Sequence, residues 1–245
     1  GIYVVLRLSS LFFGQGSGPA AGFADNWLMI GGLATLAYGM IGILSAQTLS
    51  RVAGNYVLVS SGTLLAAIGT DSGVVWAAAL FYLASSTLAI AALYLLIEPV
   101  ERGDGVKDAR TGTEPVFEDE YVGVFEEEED EIGIAIPATI AILGGGFILC
   151  SLLLAGLPPL SGFIAKFAII DGLMRLEVGI APSTWLFIAL IILSGLAVLV
   201  TMTRAGIDLL WTPTDRPQAR LSIAEAAPIG ALLALCFALM VQAGP

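Results

Sequence analysis

The sequence predicts an all-α protein, specifically a polytopic bundle of membrane helices. Of its 245 residues, 57% are hydrophobic and only 13% are charged, against roughly 25% charged residues in a typical soluble domain. Apolar runs with few or no charges recur along the chain, several of them near the length of about 20 residues that a helix needs to cross a bilayer. An ordinary soluble enzyme and a disordered chain are therefore excluded.

The rarest residue types exclude several kinds of chemistry. The chain has no histidine, two cysteines (Cys150 and Cys236) and a net charge of −11. A His/Cys zinc site, an iron–sulfur cluster, a disulfide framework and a Ser–His–Asp triad are excluded, and the acidic charge argues against nucleic acid as a partner. We expect no cofactor and no metal site, and we interpret the two cysteines as packing residues.

One segment holds the whole charge imbalance and divides the chain. Residues 98–131 contain 14 acidic and 3 basic residues, whereas the rest of the chain sums to zero. We therefore predict membrane helices over 1–97, an acidic, soluble and largely disordered loop over 98–133, and membrane helices over 134–245. The loop could bind cations or a basic partner, but we favour the simpler interpretation of a solvated connection.

The apolar runs predict the helices in order. Residues 1–13 are mostly apolar, with Arg7 as the only charged residue, but they are too short to span, so we expect them to complete a helix that begins further upstream. A polar turn is predicted at 50–55. The other predicted membrane segments are 27–47, 56–69, 74–97, 138–176, 184–203 and 226–241.

Pro158 and Pro159 interrupt the segment 138–176, because proline lacks the amide hydrogen and clashes with the preceding helical turn. Two spans here would distribute the basic residues five against four between the two sides of the membrane. A single broken span would place seven on one side and two on the other, as the positive-inside rule favours. The seven are Arg51, Arg102, Lys107, Arg110, Arg204, Arg216 and Arg220, and the two are Arg7 and Arg175. We favour the broken single span, with the acidic loop in the cytoplasm.

Lys166 is the leading candidate for a functional residue. It is the only lysine outside the acidic segment and follows Pro159 by seven residues in an apolar setting. Charged groups at membrane depth are costly and usually mark ion or proton pathways. Burial disfavours the charged form of a lysine, so such a residue can exchange a proton. The alternative is a lysine whose ammonium group snorkels to the membrane surface.

Further polar residues are candidates for a hydrated path. Asp171 follows Lys166 by five residues, and it could line a path exit or could simply flank a helix end. Serine and threonine could line such a path or hold helices together in lipid. These hydroxyl candidates are Ser60, Ser61, Thr63, Ser85, Ser86 and Thr87.

Three segments resemble one known family. Residues 157–166 read LPPLSGFIAK and resemble the GLPPLSGFxxK signature of the antiporter-like membrane subunits. These include the D-type subunits of the Mrp/Pha monovalent-cation/proton antiporters and the proton-pumping membrane-arm subunits of respiratory complex I. Residues 1–7 resemble the family's KVGxYxxLR helix, and residues 46–62 resemble its DLKRLLAYSS segment. The glutamate-rich insertion before the Pro-Pro helix is closest to the D-type subunits of the Pha antiporters.

The resemblance implies a fold of two inverted repeats, each with a broken helix. This chain would be the carboxy-terminal half, with the second repeat, and Lys166 would be its protonatable residue. The chain departs from the family where an HAxxK motif is replaced by residues 86–90, STLAI, and where the lysine of DLKR is Ser50. Hydroxyl groups and water would then have to bridge the proton path.

The function expected from this resemblance is a subunit of a multisubunit bacterial cation (Na+ or K+)/proton antiporter in the cell inner membrane. Its partners would be the other subunits, lipid, protons and the carried cation, and it would not be an enzyme. Two alternatives remain open at this point: a proton-pumping subunit of an NADH–quinone oxidoreductase-type complex, and a structural subunit with no conduction of its own.

Overall fold

A computed structural model describes residues 1–13, 22–110, 138–175, 181–210 and 223–242. For 100–110, 138–141, 208–210 and 223–225 only the backbone is described. Within these ranges the chain forms helices and no strands, so the prediction of an all-α fold is confirmed. The helices are α1 (Ile2–Phe12), α2 (Phe23–Ser45), α3 (Leu49–Ile68), α4 (Gly73–Arg110), α5 (Ala138–Ala155), α6 (Ser161–Met174), α7 (Pro182–Leu210) and α8 (Ile223–Gln242).

Three of the described helices are long and apolar enough to cross a membrane. They are Phe23–Ser45, Gly73–Pro99 and Pro182–Ile207. Shorter apolar stretches lie at Ile2–Phe12, Ile142–Ala155 and Ala226–Gln242.

The start of α3 corrects the sequence prediction, because the polar turn expected at 50–55 is helical. Thr48 caps the helix, and its hydroxyl accepts a hydrogen bond from the Arg51 amide at 3.4 Å. Asn55 donates to the Arg51 carbonyl at 2.9 Å and so remains inside the helix. A capping threonine and a buried Val52 on the inner face outweigh the polar composition of this stretch.

The end of α4 also differs from the prediction. The helix continues through Pro99 to Arg110, thirteen residues into the segment predicted to be an acidic loop. Proline removes one backbone hydrogen bond but does not end this helix. Residues 111–133, where the rest of the predicted loop falls, lie outside the described part of the chain.

Helices α2 and α3 pack through glycines. A Cβ atom on Gly39 would lie 2.8 Å from the backbone nitrogen of Val59, and one on Gly62 would lie 2.8 Å from the carbonyl oxygen of Gly32. Glycine therefore allows the two backbones to touch, as is common for helix pairs in lipid.

The pair α5–α6 crosses the bundle once, along α4. Near one end, Gly146 of α5 faces Leu96 of α4. In the middle, Ser85 of α4 is hydrogen-bonded to Ser161 of α6 at 3.0 Å. Near the other end, Gly172 of α6 faces Val75 of α4. The order along α4 is continuous and antiparallel, so the prediction of one broken span is confirmed.

The break makes room for the extra length of this span. The 21 positions from residue 96 to residue 75 of α4 rise about 32 Å, whereas the 26 positions from 146 to 172 would rise about 39 Å as a straight helix. The turn at residues 156–160 takes up the difference.

The contacts of helix α7 show which helix ends lie at the same end of the bundle. Gly206 faces Phe147 and Gly195 faces Ala155, so α7 runs antiparallel to α5. Thr201 donates to the carbonyl oxygen of Ile43 at 3.3 Å, which places the C-terminal part of α7 beside the C-terminal end of α2. Arg51 and Arg204 therefore lie at the same end of the bundle, called here the Arg51 end, together with the start of α5.

Candidate functional site

The first half of the broken helix ends in a sharp turn. The amides of Gly156 and Leu157 both donate to the carbonyl oxygen of Leu152 at 3.1 Å. Gly156 has φ of +76°, a left-handed conformation that ends many helices and that glycine adopts without strain. Pro158 and Pro159 follow, joined by a cis peptide bond, and α6 begins at Ser161. The helix break predicted at the two prolines is present in the structure.

Lys166 reaches back across this break. It is only 8% exposed, and its Nζ donates to the carbonyl oxygens of Leu154 at 3.2 Å and of Ala155 at 3.0 Å. Helical side chains lean towards the N-terminus of their own helix, which directs Lys166 of α6 towards the end of α5. The last carbonyls of a helix have no partner within it and carry partial negative charge, so a cation there is stabilised.

Two glycines make space for the lysine. A Cβ on Gly156 would lie 2.9 Å from Cδ and 3.2 Å from Nζ of Lys166. A Cβ on Gly195 of α7 would lie 2.7 Å from the Ala155 carbonyl oxygen and 3.3 Å from Nζ. The ammonium group is thus enclosed by backbone and is not directed to the surface, which argues against the snorkelling alternative.

The environment of Lys166 permits either protonation state. Within the described residues its Nζ contacts carbonyl oxygens and forms no ion pair with a carboxylate. An ammonium group has three donors and a neutral amine still has two, so both hydrogen bonds can persist when the lysine loses a proton.

Buried hydroxyl groups lie at the level of the break. Ser60 of α3 donates to Ser86 of α4 at 3.0 Å, and Ser85 of α4 donates to Ser161 of α6 at 3.0 Å. All four side chains are buried. The hydroxyl of Tyr56 donates to the Leu154 carbonyl oxygen at 3.0 Å, the same oxygen that accepts from Lys166. These groups from α3, α4 and α6 converge on the end of α5.

Other predicted residues lie apart from this cluster. Ser61 donates to the Leu58 carbonyl of its own helix at 3.1 Å, and the exposed Thr87 does the same to Leu83 at 2.6 Å. Asp171 pairs with Arg175 at 2.8 Å, and its side chain is 41% exposed. Among the described residues, no group of three or more histidine, cysteine, aspartate or glutamate residues could hold a metal ion.

Sequence reasoning missed Tyr56 and Tyr82, the two tyrosines buried beside these serines. Their helical spacing from the serine and threonine residues could have predicted that both tyrosines lie on the same helix faces. Tyr56, Ser60 and Thr63 occur at positions i, i+4 and i+7 of α3, and Tyr82 precedes Ser85 and Ser86 by three and four residues. Such spacings place side chains on one face of a helix.

Comparison with curated proteins identifies similar sequences, although no family model matches the chain. A protein of Rhizobium meliloti (strain 1021), named as the probable D component of a K(+)/H(+) antiporter, is 49% identical over 252 residues, which cover 100% of this chain and 46% of that protein. The D component of the Na(+)/H(+) antiporter of Bacillus subtilis (strain 168) is 26% identical over 244 residues, covering 98% of this chain and 43% of that protein. The chain spans about half the length of these relatives.

Solved structures with a similar fold come from two membrane complexes. A chain of the Mrp complex from Dietzia sp. DQ12-45-1b matches 98% of this chain and 48% of its own length, with a TM-score of 0.64 and 18% identity. A chain of respiratory complex I from Thermus thermophilus matches 89% of this chain and 43% of its own, with a TM-score of 0.54 and 18% identity. These likenesses support the fold of a multi-pass membrane protein. The whole chain is therefore similar in sequence to about half of the D-type antiporter subunits, and the resemblance predicted from residues 157–166 is confirmed.

Proposed function

We propose that this chain is part of an integral-membrane subunit of a multisubunit monovalent cation/proton antiporter, and that Lys166 takes part in its proton translocation. The observation that carries the proposal is the position of Lys166, which is buried against the last two carbonyls of a broken helix in a chain whose sequence is similar to part of the D-type antiporter subunits. A charged group held at this depth marks an ion or proton pathway. The chain would be the second of two inverted repeats.

The proposed partners are the other subunits of the complex, the surrounding lipid, protons and either Na+ or K+. The protein is a transporter subunit in this proposal and not an enzyme. A proton-pumping subunit of a quinone oxidoreductase-type complex is the second candidate. It is supported by the fold similarity to complex I, whereas both the fold similarity to the Mrp complex and the curated sequence relatives favour the antiporter.

Exchange in membrane vesicles tests the proposal. The full-length subunit is expressed with its neighbouring subunits, and everted vesicles are energised so that a pH-sensitive dye is quenched. We expect addition of potassium or sodium to dequench the dye, because the entering cation drives protons out. Vesicles that lack only this subunit are the control. Equal dequenching in those vesicles would contradict the proposal, and loss from those vesicles of the quenching that NADH and a quinone drive would favour the second candidate.

The bundle has a proposed orientation in the bacterial inner membrane. Arg51 and Arg204 lie at one end of the bundle, whereas Arg175 lies at the end of α6 on the opposite side. The positive-inside rule then supports a cytoplasmic location for the Arg51 end. The acidic segment leaves α4 at that end, so we propose that it is cytoplasmic as well.

Cysteine labelling tests this orientation. In a full-length subunit whose native cysteines, including Cys150 and Cys236, are replaced by alanine, we expect Gly112→Cys to react with an impermeant maleimide in everted vesicles and not on intact cells. Gly73→Cys is the matched control, because Gly73 begins α4 at the opposite end and has no heavy atom within 4 Å of a Cβ position. It should react on intact cells. The reverse pattern would overturn the orientation.

A further inference from the structure

One glycine of α7 lies against the amine of Lys166 and against one of its two acceptors. A Cβ atom on Gly195 would lie 2.7 Å from the Ala155 carbonyl oxygen and 3.3 Å from Lys166 Nζ. Nζ donates to that same oxygen at 3.0 Å. A distance of 2.7 Å is too short for a contact between carbon and oxygen, so only a hydrogen atom fits at this position of α7.

Helix α7 contributes backbone, and no polar side chain, to this contact. Ser194 precedes Gly195 and is 1% exposed, but its hydroxyl donates to the Ile191 carbonyl oxygen of its own helix at 2.7 Å. A hydroxyl has one hydrogen to donate, and that of Ser194 is therefore used. Within the described residues the hydrogen bonds of Lys166 Nζ go to α5 alone. The effect of α7 on the lysine must come from how closely its backbone approaches.

The two acceptors of Lys166 are held in different ways. The Leu154 carbonyl oxygen also accepts from the Tyr56 hydroxyl at 3.0 Å, which ties it to α3. The Ala155 carbonyl is the last of α5, and in the described part of the chain its oxygen accepts from Nζ alone. The Gly195 backbone lies against this oxygen. The position of the second acceptor therefore depends on α7, whereas that of the first does not.

We propose that Gly195 is a positioning residue for Lys166. Because it has no side chain, the α7 backbone can lie against the Ala155 carbonyl oxygen and keep that oxygen in place as the second acceptor. A side chain at this position would push the oxygen or α7 aside, and Lys166 would keep only the Leu154 acceptor. The pH at which Lys166 gains and loses its proton would then change, since hydrogen bonds stabilise the two protonation states unequally. The inference rests on the proposed function, because it concerns proton exchange by Lys166.

The other titratable groups around Lys166 do not adjoin Gly195. Tyr56 of α3 meets the lysine through a shared carbonyl oxygen, and Tyr82 of α4 interacts with Tyr56. Asp171, on the same helix as the lysine, forms an ion pair and is 41% exposed. None of these is among the atoms nearest to the Gly195 Cβ position. A methyl group at this position therefore acts on the lysine and its acceptor, without touching another titratable group among them.

The test is Gly195→Ala in the full-length subunit within its complex, with Gly206→Ala as the matched control. Gly206 is also on α7, and a Cβ atom there would lie 3.1 Å from the Phe147 ring of α5. Both substitutions thus crowd the contact between α7 and α5, but only the first is next to Lys166. We measure the initial rate of cation-driven dequenching in everted vesicles over a range of pH, divided by the amount of subunit on a blot.

We expect the pH profile of Gly195→Ala to be displaced by about one unit, because a hydrogen bond to a charged group is worth about tenfold or more in a protonation equilibrium. Gly206→Ala should keep the wild-type profile, whatever its maximal rate. A wild-type profile for Gly195→Ala, or an equal displacement in both variants, would show that Gly195 only packs. If Lys166→Ala abolishes exchange in the same assay, that result overturns the inference and leaves the proposed function standing.

A second comparison applies if Gly195→Ala does not accumulate. The same substitution is then made in the Lys166→Ala background. Without the lysine, the Ala155 carbonyl has no donor to face and can turn away from the added methyl group. We therefore expect the glycine substitution to lower the amount of subunit less in this background than in the wild type. An equal reduction in both backgrounds would mean that the two residues act independently and would overturn the positioning role.

Discussion

Lys166→Ala is expected to abolish cation-dependent proton movement by the full-length subunit in its complex. The substitution removes the exchangeable proton and leaves the Ala155 carbonyl without the lysine as a donor, whereas the Leu154 carbonyl keeps the Tyr56 hydroxyl. A buried carbonyl that loses its partner costs about 1–3 kcal/mol, so some loss of stability is expected as well. Dequenching of the dye in everted vesicles measures exchange, and a blot measures the amount of the subunit.

Lys166→Arg separates proton transfer from helix capping. A guanidinium group can donate to both carbonyls, but it stays protonated at any accessible pH. We therefore expect Lys166→Arg to accumulate better than Lys166→Ala and still to fail in exchange. Phe167→Ala is the control, because Phe167 is the next residue and is 58% exposed. Wild-type exchange by the arginine variant would show that Lys166 only caps and anchors the helix.

Gly32→Leu is expected to prevent accumulation of the subunit. A Cβ on Gly32 would meet the backbone nitrogen of Ala66, and it would lie 2.8 Å from both Ala66 Cα and the Gly62 carbonyl oxygen. These are backbone atoms, so α2 and α3 would have to separate. Overpacking a tight contact typically costs about 1–3 kcal/mol and can cost more, and here the displaced helix also carries Tyr56 and Ser60.

Gly31→Leu provides the matched control for that experiment. Gly31 has no heavy atom within 4 Å of its Cβ position, while the change in hydrophobicity and helix propensity is the same. Blots of membranes should show normal amounts of the Gly31 variant and little of the Gly32 variant. Equal amounts of the two would mean that the close approach of α2 and α3 is not needed for folding.

The sequence predicts the helical fold and the region of the site because these depend on composition and on the restricted backbone conformation of proline. Apolar runs require helices in lipid, and two consecutive prolines must interrupt one of them. Lys166 stands out because a lone charge in an apolar run is costly. The helix break and the lysine can therefore be predicted from the local sequence, without knowledge of the residues that pack against them.

The inner and outer faces of these helices could not be predicted in the same way. Apolar side chains point both to lipid and to the core, so hydrophobic periodicity does not distinguish the faces. Ser86 and Thr87 are consecutive hydroxyl residues, yet one bonds Ser60 across the helix interface and the other bonds its own exposed helix. The start of α3 was missed because a capping threonine and a buried inner face determine it, whereas composition alone suggested a turn.

The hydrogen bonds of Lys166 join two segments that no continuous helical backbone connects. The donor belongs to α6 and both acceptors belong to α5, while α4 runs alongside both segments. Any sliding or tilting of α6 against α5 must therefore change the distances from Nζ to the Leu154 and Ala155 oxygens. A change in the charge of this one nitrogen alters the force that holds the two half-helices together, so protonation and mechanical displacement are coupled at this point of the bundle.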